Sequence, residues 1–355
     1  MEEVTVSLRL LLSVQEHQHG SIIYHARFCD RFPDYSNYFA SVSFSWVLVY
    51  RIDDDGGKGQ KDVAVRLVQS FLDETLEDED PAEKVKRDNA KPDDKEDETW
   101  NNNYACCWAS KGDNVPVLLF AGRKGTIRGI RLEPPFQLAV TLLGHGGPVY
   151  DLKTHAVDDG IVFSASKDES IRMWNIRTSV CIAIFAGLYE GGHRQAVISM
   201  DCHPLGDLLA TSGMDTAIRV WNLRTDEMLQ AVRESDSQPR GPLGNTNPPV
   251  LSIATPTFMT PQQHNNYVDG IKWVGDLLLS KSVRDDLKLW AVDSMRSEPS
   301  VVNVRKFHLP FNMTWFAQMD YFPPLDVLAV GNDEGSVSFF PVYYSPPCRQ
   351  MPRHD

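Results

Sequence analysis

The sequence predicts an all-β protein with the architecture of a β-propeller. Two segments, 143–176 and 191–223, repeat one pattern of Gly-His, two apolar runs, an Asp, and Ile-Arg-x-Trp-Asn. The equivalent residues Trp174 and Trp221 lie 47 positions apart. A period near 45 residues with Gly-His and Trp-Asp or Trp-Asn marks is the signature of WD repeats. We therefore predict a WD-repeat β-propeller, in which six blades are visible along the chain.

Polar residues at matching positions of the two repeats are predicted to hold the blades together. In such a blade, an Asp in a tight turn can bind the His of the Gly-His loop. A strand hydroxyl, Ser164 or Ser166 in the first repeat, can bridge toward the Trp, so that each buried polar group has a partner. We interpret the following residues as structural rather than catalytic: His145, Asp168, Trp174, His193, Asp215, Trp221 and, in a later repeat, Trp290.

Composition excludes several classes of function. The chain has 355 residues and a formal net charge of −13, which argues against nucleic-acid binding through bulk charge. Its six Cys show no Cys-x-x-Cys pair and no zinc-type spacing, so we expect no metal and a reducing compartment. The N-terminal residues make a poor signal peptide, and no stretch of 18 apolar residues occurs. Phosphate-loop, nucleophile-elbow and His-Glu-x-x-His motifs are absent, so we expect neither an enzyme nor a cofactor.

The first third of the chain is predicted to hold an extension, one divergent blade and an acidic insertion. Residues 1–19 are taken as the N-terminal extension and 20–342 as the propeller. Within 73–98 there are thirteen Asp and Glu against five Lys and Arg. Such a composition buries too little apolar surface to order itself, so we expect an insertion at about 53–100 that is disordered over 78–98. It is either a solvated loop or an acidic site for a basic tail.

The remaining chain is predicted to supply blades two to six and a tail. A connection at 233–266 contains six Pro. In blade five, Lys281 and the pair Asp285–Asp286 replace the usual turn pattern. The predicted segments are 103–110 with 117–132, the two strong repeats, 266–292, 314–342, and a C-terminal tail over 343–355. Either six blades close the ring alone or a seventh is missing, because closure is what removes exposed sheet edges.

Several strings resemble one specific family. SASKDESIRMWNIRTSVCIAIFAGLYEGGHR at 164–194, SGMDTAIRVWNL at 212–223, HNNYVDGIKWVGDLLLSKS at 264–282 and AVGNDEGSV at 329–337 are similar to the Polycomb WD-repeat subunit. This family is called extra sex combs in insects, EED in mammals and FIE in plants, and the chain looks nearest the plant form. VRLVQSFLDE at 65–74, followed by NYACCW at 103–108, resembles the start of that family's second blade. The resemblance covers roughly residues 20–342.

The resemblance implies a non-catalytic scaffold in the nucleus. The family has seven blades, and nothing after Val342 resembles the last of them. Its members belong to Polycomb repressive complex 2, bind a helix of the SET-domain histone methyltransferase subunit, and support transcription repression. They also read trimethyl-lysine on the histone H3 tail. The implied partners are therefore that methyltransferase, the H3 tail and the other subunits of the complex, with no membrane and no sequence-specific nucleic acid.

The resemblance also implies the residues of an aromatic cage. Matched position by position, they are Phe28, Tyr104 and Phe316, with Trp315 beside them. A quaternary ammonium binds aromatic faces by cation–π attraction of about 0.5–2 kcal/mol per contact, so several rings from different blades are needed. Each ring alone is equally explained by core packing. If Trp315 and Phe316 lie on one strand, their side chains point to opposite faces and one belongs to the core.

A second function fits two short motifs. WNIR at 174–177 and WNLR at 221–224 resemble the Trp-Asp-x-Arg motif of substrate receptors of cullin-type ubiquitin ligases. In such receptors the motif presents an arginine on the rim of a blade, which would be Arg177 and Arg224 here. Both arginines are also explained as solvated ends of strands.

Overall fold

The computed structural model of the chain describes residues 23–55, 62–73, 102–134, 136–187, 189–237, 249–284, 287–293, 300–309, 313, 315, 317–343 and 349–350. The chain divides into two compact units, Met1–Asn103 and Tyr104–Asp355.

The first unit contains one antiparallel sheet, here called blade one. Its strands, in both chain and sheet order, are β1 (His25–Phe28), β2 (Tyr38–Ser43), β3 (Trp46–Asp55) and β4 (Asp62–Leu72). A two-residue turn joins β2 to β3, and Phe44 adopts a φ of 43° there. Apolar residues of β2 and β3 form the buried interior of this sheet, among them Ala40, Val42, Val47 and Val49.

The acidic insertion does not begin at residue 53 as expected. Residues 53–55 complete β3, and 62–72 form β4, which pairs with β3 along its length. The β-branched residues Val65 and Val68 favour this strand despite the neighbouring charges. Residues 65–72 of the segment 65–74, which was expected to begin the second blade, therefore contribute to the first. The part predicted to be disordered, 78–98, lies outside the described residues.

The second unit contains blades two to six in chain order. Blade two is β5 (Asn103–Ser110), β6 (Pro116–Gly122), β7 (Ile127–Arg131) and β8 (Leu138–Leu142). Blade three is β9 (Val149–Thr154), β10 (Ile161–Ser166), β11 (Ile171–Asn175) and β12 (Val180–Phe185). Blade four begins with β13 (Val197–Cys202), β14 (Leu208–Gly213) and β15 (Ile218–Asn222).

A helix and two short strands follow β15. They are α1 (Asp226–Asp236), β16 (Leu251–Ile253) and β17 (Phe258–Thr260). Strand β17 pairs with β15 and completes blade four, whereas β16 runs parallel to β12 and adds a fifth strand to blade three. The segment 233–266 is therefore not only a connecting loop, as its Pro content had suggested. Three-residue strands lie below the length at which a periodic pattern is recognisable.

Blades five and six complete the second unit. Blade five is β18 (Gly270–Val274), β19 (Leu277–Lys281), β20 (Leu287–Asp293) and β21 (Ser300–Phe307). Blade six is β22 (Met319–Phe322), β23 (Val327–Gly331), β24 (Val337–Pro341) and β25 (Arg349–Gln350). Strand β25 lies in the expected tail 343–355 and pairs with β24. The tail prediction is wrong there, because the chain returns to cover the edge of β24.

The core of the second unit lies between neighbouring blades. Strands β6 and β10 are buried on both faces, which explains their continuous apolar runs. Among the described residues, the hydrophobic clusters draw on two consecutive blades: Leu119 packs in one cluster with Leu152, and Phe163 packs in another with Trp221. Further clusters join blade four to blade five and blade five to blade six.

Side chains of the first strands add polar links between blades. The backbone N–H of Met200 donates to Asp151 Oδ2 at 3.0 Å, and that of Trp273 donates to Asp201 Oδ2 at 2.8 Å. Lys272 Nζ forms an ion pair with Asp320 at 2.7 Å. These contacts fix the stagger of adjacent blades.

The predicted fold class, an all-β WD-repeat β-propeller with six visible blades, is confirmed for the described part of the chain. No helix in that part is long and apolar enough to cross a membrane.

Candidate functional site

A chain of hydrogen bonds joins the polar residues that mark the repeat in blade three. His145 Nδ1 lies 2.8 Å from Asp168 Oδ2, and His145 Nε2 lies 2.7 Å from Ser164 Oγ. Trp174 Nε1 donates to the same hydroxyl at 2.8 Å. Ser164, not Ser166, is therefore the bridging residue that the sequence had left open. The loop, the turn and two strands are tied together by groups that satisfy one another.

Blade four repeats this network with a threonine in place of the serine. His193 Nδ1 lies 3.0 Å from Asp215 Oδ1, and His193 Nε2 lies 2.9 Å from Thr211 Oγ1. Trp221 Nε1 donates to Thr211 Oγ1 at 2.9 Å. The same four groups are therefore joined in the same order as in blade three.

A buried arginine is added to the network of blade four. Arg219 donates to Asp215 Oδ2 at 2.8 Å and to the carbonyls of Gly191 and Gly192 at 2.6 and 2.7 Å. Because it binds both the turn and the loop, this guanidinium locks the Gly-His loop onto the blade.

The electrostatics of both networks fit a structural role. Burial acts to raise the pKa of Asp168, but the hydrogen bond and charge of His145, helped by Ser170 and Gly146, hold it well below its usual range. Burial also acts to raise the pKa of Asp215, which His193 and Arg219 nevertheless lower. Burial lowers the pKa of His193, so this imidazole is neutral at pH 7. All of these groups are engaged with one another rather than aimed at a ligand.

Blade five carries a third network with one member that sequence reasoning missed. Trp290 Nε1 donates to Ser280 Oγ at 3.0 Å, and His264 Nε2 lies 2.7 Å from the same oxygen. The signal was present, because His264 stands ahead of Ser280 much as the histidine of blade three stands ahead of its serine. Lys281, noted as a departure from the turn pattern, forms a fully buried ion pair with Asp269 at 2.5 Å. Residues 285 and 286, also noted, lie outside the described residues.

An aromatic cluster joins three blades of the second unit. The ring centroids of Tyr104 and Tyr150 lie 5.7 Å apart with a tilt of 33°. Those of Tyr150 and Trp315 lie 5.4 Å apart, with the rings nearly perpendicular at 89°. Tyr104 is the second residue of β5, Tyr150 is the second residue of β9, and Trp315 lies in a turn ahead of β22. All three side chains are half-buried.

The four expected cage residues do not all belong to this cluster among the described residues. Tyr104 and Trp315 do, because both contact the ring of Tyr150. Trp315 lies in a turn and not in a strand. The alternation of strand side chains between two faces therefore does not assign it to the core. Phe316 lies outside the described residues. Phe28 ends β1 in the first unit, where it is 55% exposed and its ring lies 5.4 Å from that of Phe39.

Tyr150 was not among the expected cage residues. Burial, and secondarily the neighbouring Tyr104, raise the pKa of the Tyr150 phenol, so its hydroxyl stays neutral at pH 7. The sequence offered one signal, an aromatic residue directly after the first residue of a strand, as at Tyr104. Rings from three blades with no charge of their own present π surfaces that attract a cation.

Among the described residues, no group of three or more His, Cys, Asp or Glu side chains is placed to hold a metal ion.

The two arginines of the alternative function are engaged within the second unit. Arg177 pairs with Asp158, and its Nη1 lies 3.5 Å from Asp236 Oδ1 in α1. Arg224 Nη2 donates to the backbone carbonyl of Leu205 at 3.1 Å. Both guanidinium groups therefore hold neighbouring loops of the protein.

Comparison with known proteins places these features in context. The WD domain, G-beta repeat family matches residues 136–175 and 180–222. Polycomb group protein FIE1 of Zea mays is 33% identical over 322 residues, which cover 88% of this chain and 60% of that protein. Polycomb group protein FIE2 of Zea mays is 32% identical, with 88% of this chain and 74% of that protein covered. The chain thus spans about three fifths of the length of the first of these relatives.

A solved structure shows the same fold. It is a Polycomb repressive complex 2 of Chaetomium thermophilum in complex with H3K27me3 and H3K27M. One of its chains matches with a TM-score of 0.65 and 22% identity, over 86% of this chain and 63% of that chain.

Proposed function

Because this chain belongs to the Polycomb WD-repeat family of FIE and extra sex combs proteins, we propose that it is a non-catalytic scaffold of Polycomb repressive complex 2 in the nucleus. In this role it binds the SET-domain histone methyltransferase and supports gene silencing. The fold supports such a role, because the polar residues of its networks hydrogen-bond to one another and hold the blades together. Membership of the same family as these relatives supports the partners that we propose for this chain.

The second part of the proposal is that the protein reads trimethyl-lysine on histone H3. The observation that carries it is the cluster in which Tyr104, Tyr150 and Trp315 meet from three blades. A trimethylammonium group has no N–H to satisfy and is attracted to ring faces, whereas an unmodified ammonium loses hydrogen bonds to water there. Phe28 and Phe316 remain further members implied by the resemblance.

Calorimetry with an H3 peptide that carries one trimethyl-lysine tests the reader function. We expect a Kd on the order of tens of micromolar, because one cation offers little contact area and the peptide must be ordered. Tyr104→Ala should abolish measurable binding, since it removes a π surface from the cluster. The unmodified peptide should bind much more weakly. Equal affinity for both peptides would contradict methyl-lysine reading and leave the scaffold role standing.

Affinity purification from nuclei tests the scaffold role and separates it from the ubiquitin-ligase alternative. We expect methyltransferase subunits to co-purify with the full chain. Recovery of cullin adaptors instead would favour the alternative, in which case Arg177→Ala and Arg224→Ala should release them. The local engagement of both arginines gives that alternative no support.

A further inference from the structure

The position of Tyr150 can be compared across the blades of the second unit. The second residue of the first strand is Tyr104 in blade two and Tyr150 in blade three. Strand pairing identifies the equivalent position in the next blades, because Leu152, Met200 and Ile271 each face the bridging hydroxyl residue of their own blade. The residue two positions ahead is Tyr150 in blade three, Ile198 in blade four and Asp269 in blade five. The architecture of a blade therefore does not require an aromatic ring at this position. A large ring at Tyr150 needs another explanation than the packing common to all blades.

The contacts of Tyr150 reach beyond its neighbouring blade. Its ring contacts both Tyr104 of blade two and Trp315, which lies ahead of blade six. Blades three and six are not consecutive, so the contact with Trp315 lies outside the inter-blade core. Tyr150 is half-buried, whereas Ile198 and Asp269 at the equivalent positions are buried, which leaves part of the Tyr150 ring accessible.

We propose that Tyr150 is a wall of the methyl-lysine cage, contributed by blade three between Tyr104 and Trp315. This assignment rests on the reader function proposed above and adds a residue that determines its affinity. The nearly perpendicular rings of Tyr150 and Trp315 form a corner, and the tilted ring of Tyr104 continues it. A trimethylammonium group seated there meets several ring surfaces at once, which a single ring could not provide.

Substitution of Tyr150 by the equivalent residue of blade four tests the assignment. Tyr150→Ile installs the side chain that blade four carries at this position, as Ile198, so the fold should tolerate it. We expect it to weaken binding of the trimethylated H3 peptide about tenfold, because one cation–π contact is lost. Tyr150→Phe keeps the π surface and should bind within about threefold of the unsubstituted protein. Tyr189→Ile, at a 94% exposed position, serves as the matched control and should change nothing.

The outcomes separate this assignment from the reader function. If Tyr104→Ala abolishes binding while Tyr150→Ile binds as well as or better than the unsubstituted protein, Tyr150 is not a cage wall and the reader function survives. If the unsubstituted protein binds neither peptide, both are overturned. If Tyr150→Phe loses as much affinity as Tyr150→Ile, the hydroxyl rather than the ring acts, which overturns the cation–π assignment. Thermal unfolding of each variant confirms that the fold is intact.

Discussion

At the scale of single residues, buried charged groups are held by charged or hydrogen-bonding partners. The carboxylates of Asp168 and Asp215 and the guanidinium of Arg219 all meet partners inside their blades. Lys281 and Asp269 form a pair almost without exposure to solvent. Because removing one member of such a pair leaves an uncompensated charge, these residues are more sensitive to substitution than surface charges.

Asp168 makes the stability of the protein depend on pH. Its pKa is held below that of the unfolded chain, so its stabilising contribution is present above about pH 4 and is lost as the pH falls below that value. Asp168→Asn should therefore lower the free energy of unfolding by about 1–3 kcal/mol at pH 7. The difference from the unsubstituted protein should shrink as the pH approaches about 2–3.

Urea titrations at a series of pH values measure this dependence. Glu190→Gln, at an exposed position in the same unit, is the control and should follow the unsubstituted curve at every pH. A difference for Asp168→Asn that stays constant between about pH 7 and pH 3 would contradict the assigned pKa.

At the scale of elements, helix α1 explains why blade three carries Trp-Asn rather than Trp-Asp. Asn175 Nδ2 donates to Ser235 Oγ at 2.9 Å and to Asp236 Oδ1 at 2.8 Å, both at the C-terminal end of α1. The N-terminus of the helix is capped by Thr225, whose hydroxyl accepts from Met228 N–H at 3.2 Å. An amide is needed at residue 175 because a carboxylate would face Asp236 and could not donate.

Exchanging the amide for a carboxylate at two equivalent positions tests this reason. Asn175→Asp should destabilise the protein by about 2–3 kcal/mol, since two hydrogen bonds are lost and two like charges meet. Asn222→Asp is the matched control in blade four. Asn222 is exposed and its side-chain oxygen accepts from the Arg224 N–H, so its substitution should cost less than about 0.5 kcal/mol. Denaturant unfolding measures both; equal losses would show that α1 is not held through Asn175.

At the scale of the second unit, stability depends on links between consecutive blades. Asp201 of blade four accepts from the backbone N–H of Trp273 in blade five, and Trp273 Nε1 donates to the Asp201 carbonyl at 3.2 Å. Trp273 as a whole is 8% exposed, so water has little access to its two donor groups.

Asp201→Ala should destabilise the whole unit rather than one blade. The amide of Trp273 is left without its acceptor, at a cost of about 1–3 kcal/mol. Hydrogen exchange should show faster exchange in both β13 and β18, because the lost bond joins them. Glu190→Ala removes an exposed carboxylate and should leave exchange unchanged. Faster exchange confined to β13 would contradict a coupling between the blades.

The blade repeat and its internal networks could be predicted from the sequence alone. His145, Asp168 and Trp174 lie within 30 residues of one another, and one blade is a local unit whose hydrogen bonds follow from the spacing of its strands. Strands with long apolar runs could also be recognised, because their pattern lies within a short stretch of sequence. Short strands without a periodic pattern, β16, β17 and β25, could not be recognised because their pairing with distant strands stabilises them.

Which distant residues meet depends on packing over the whole second unit. Tyr150 and Trp315 are 165 positions apart, and their contact depends on how five blades are staggered, which no local pattern encodes. The pairing of Lys281 with Asp269 lies inside blade five and was missed for a different reason, since each residue alone looks like a surface charge. Hydrogen bonds inside a blade are fixed by the spacing of residues along the chain, whereas a site between blades is assembled only when the blades pack together.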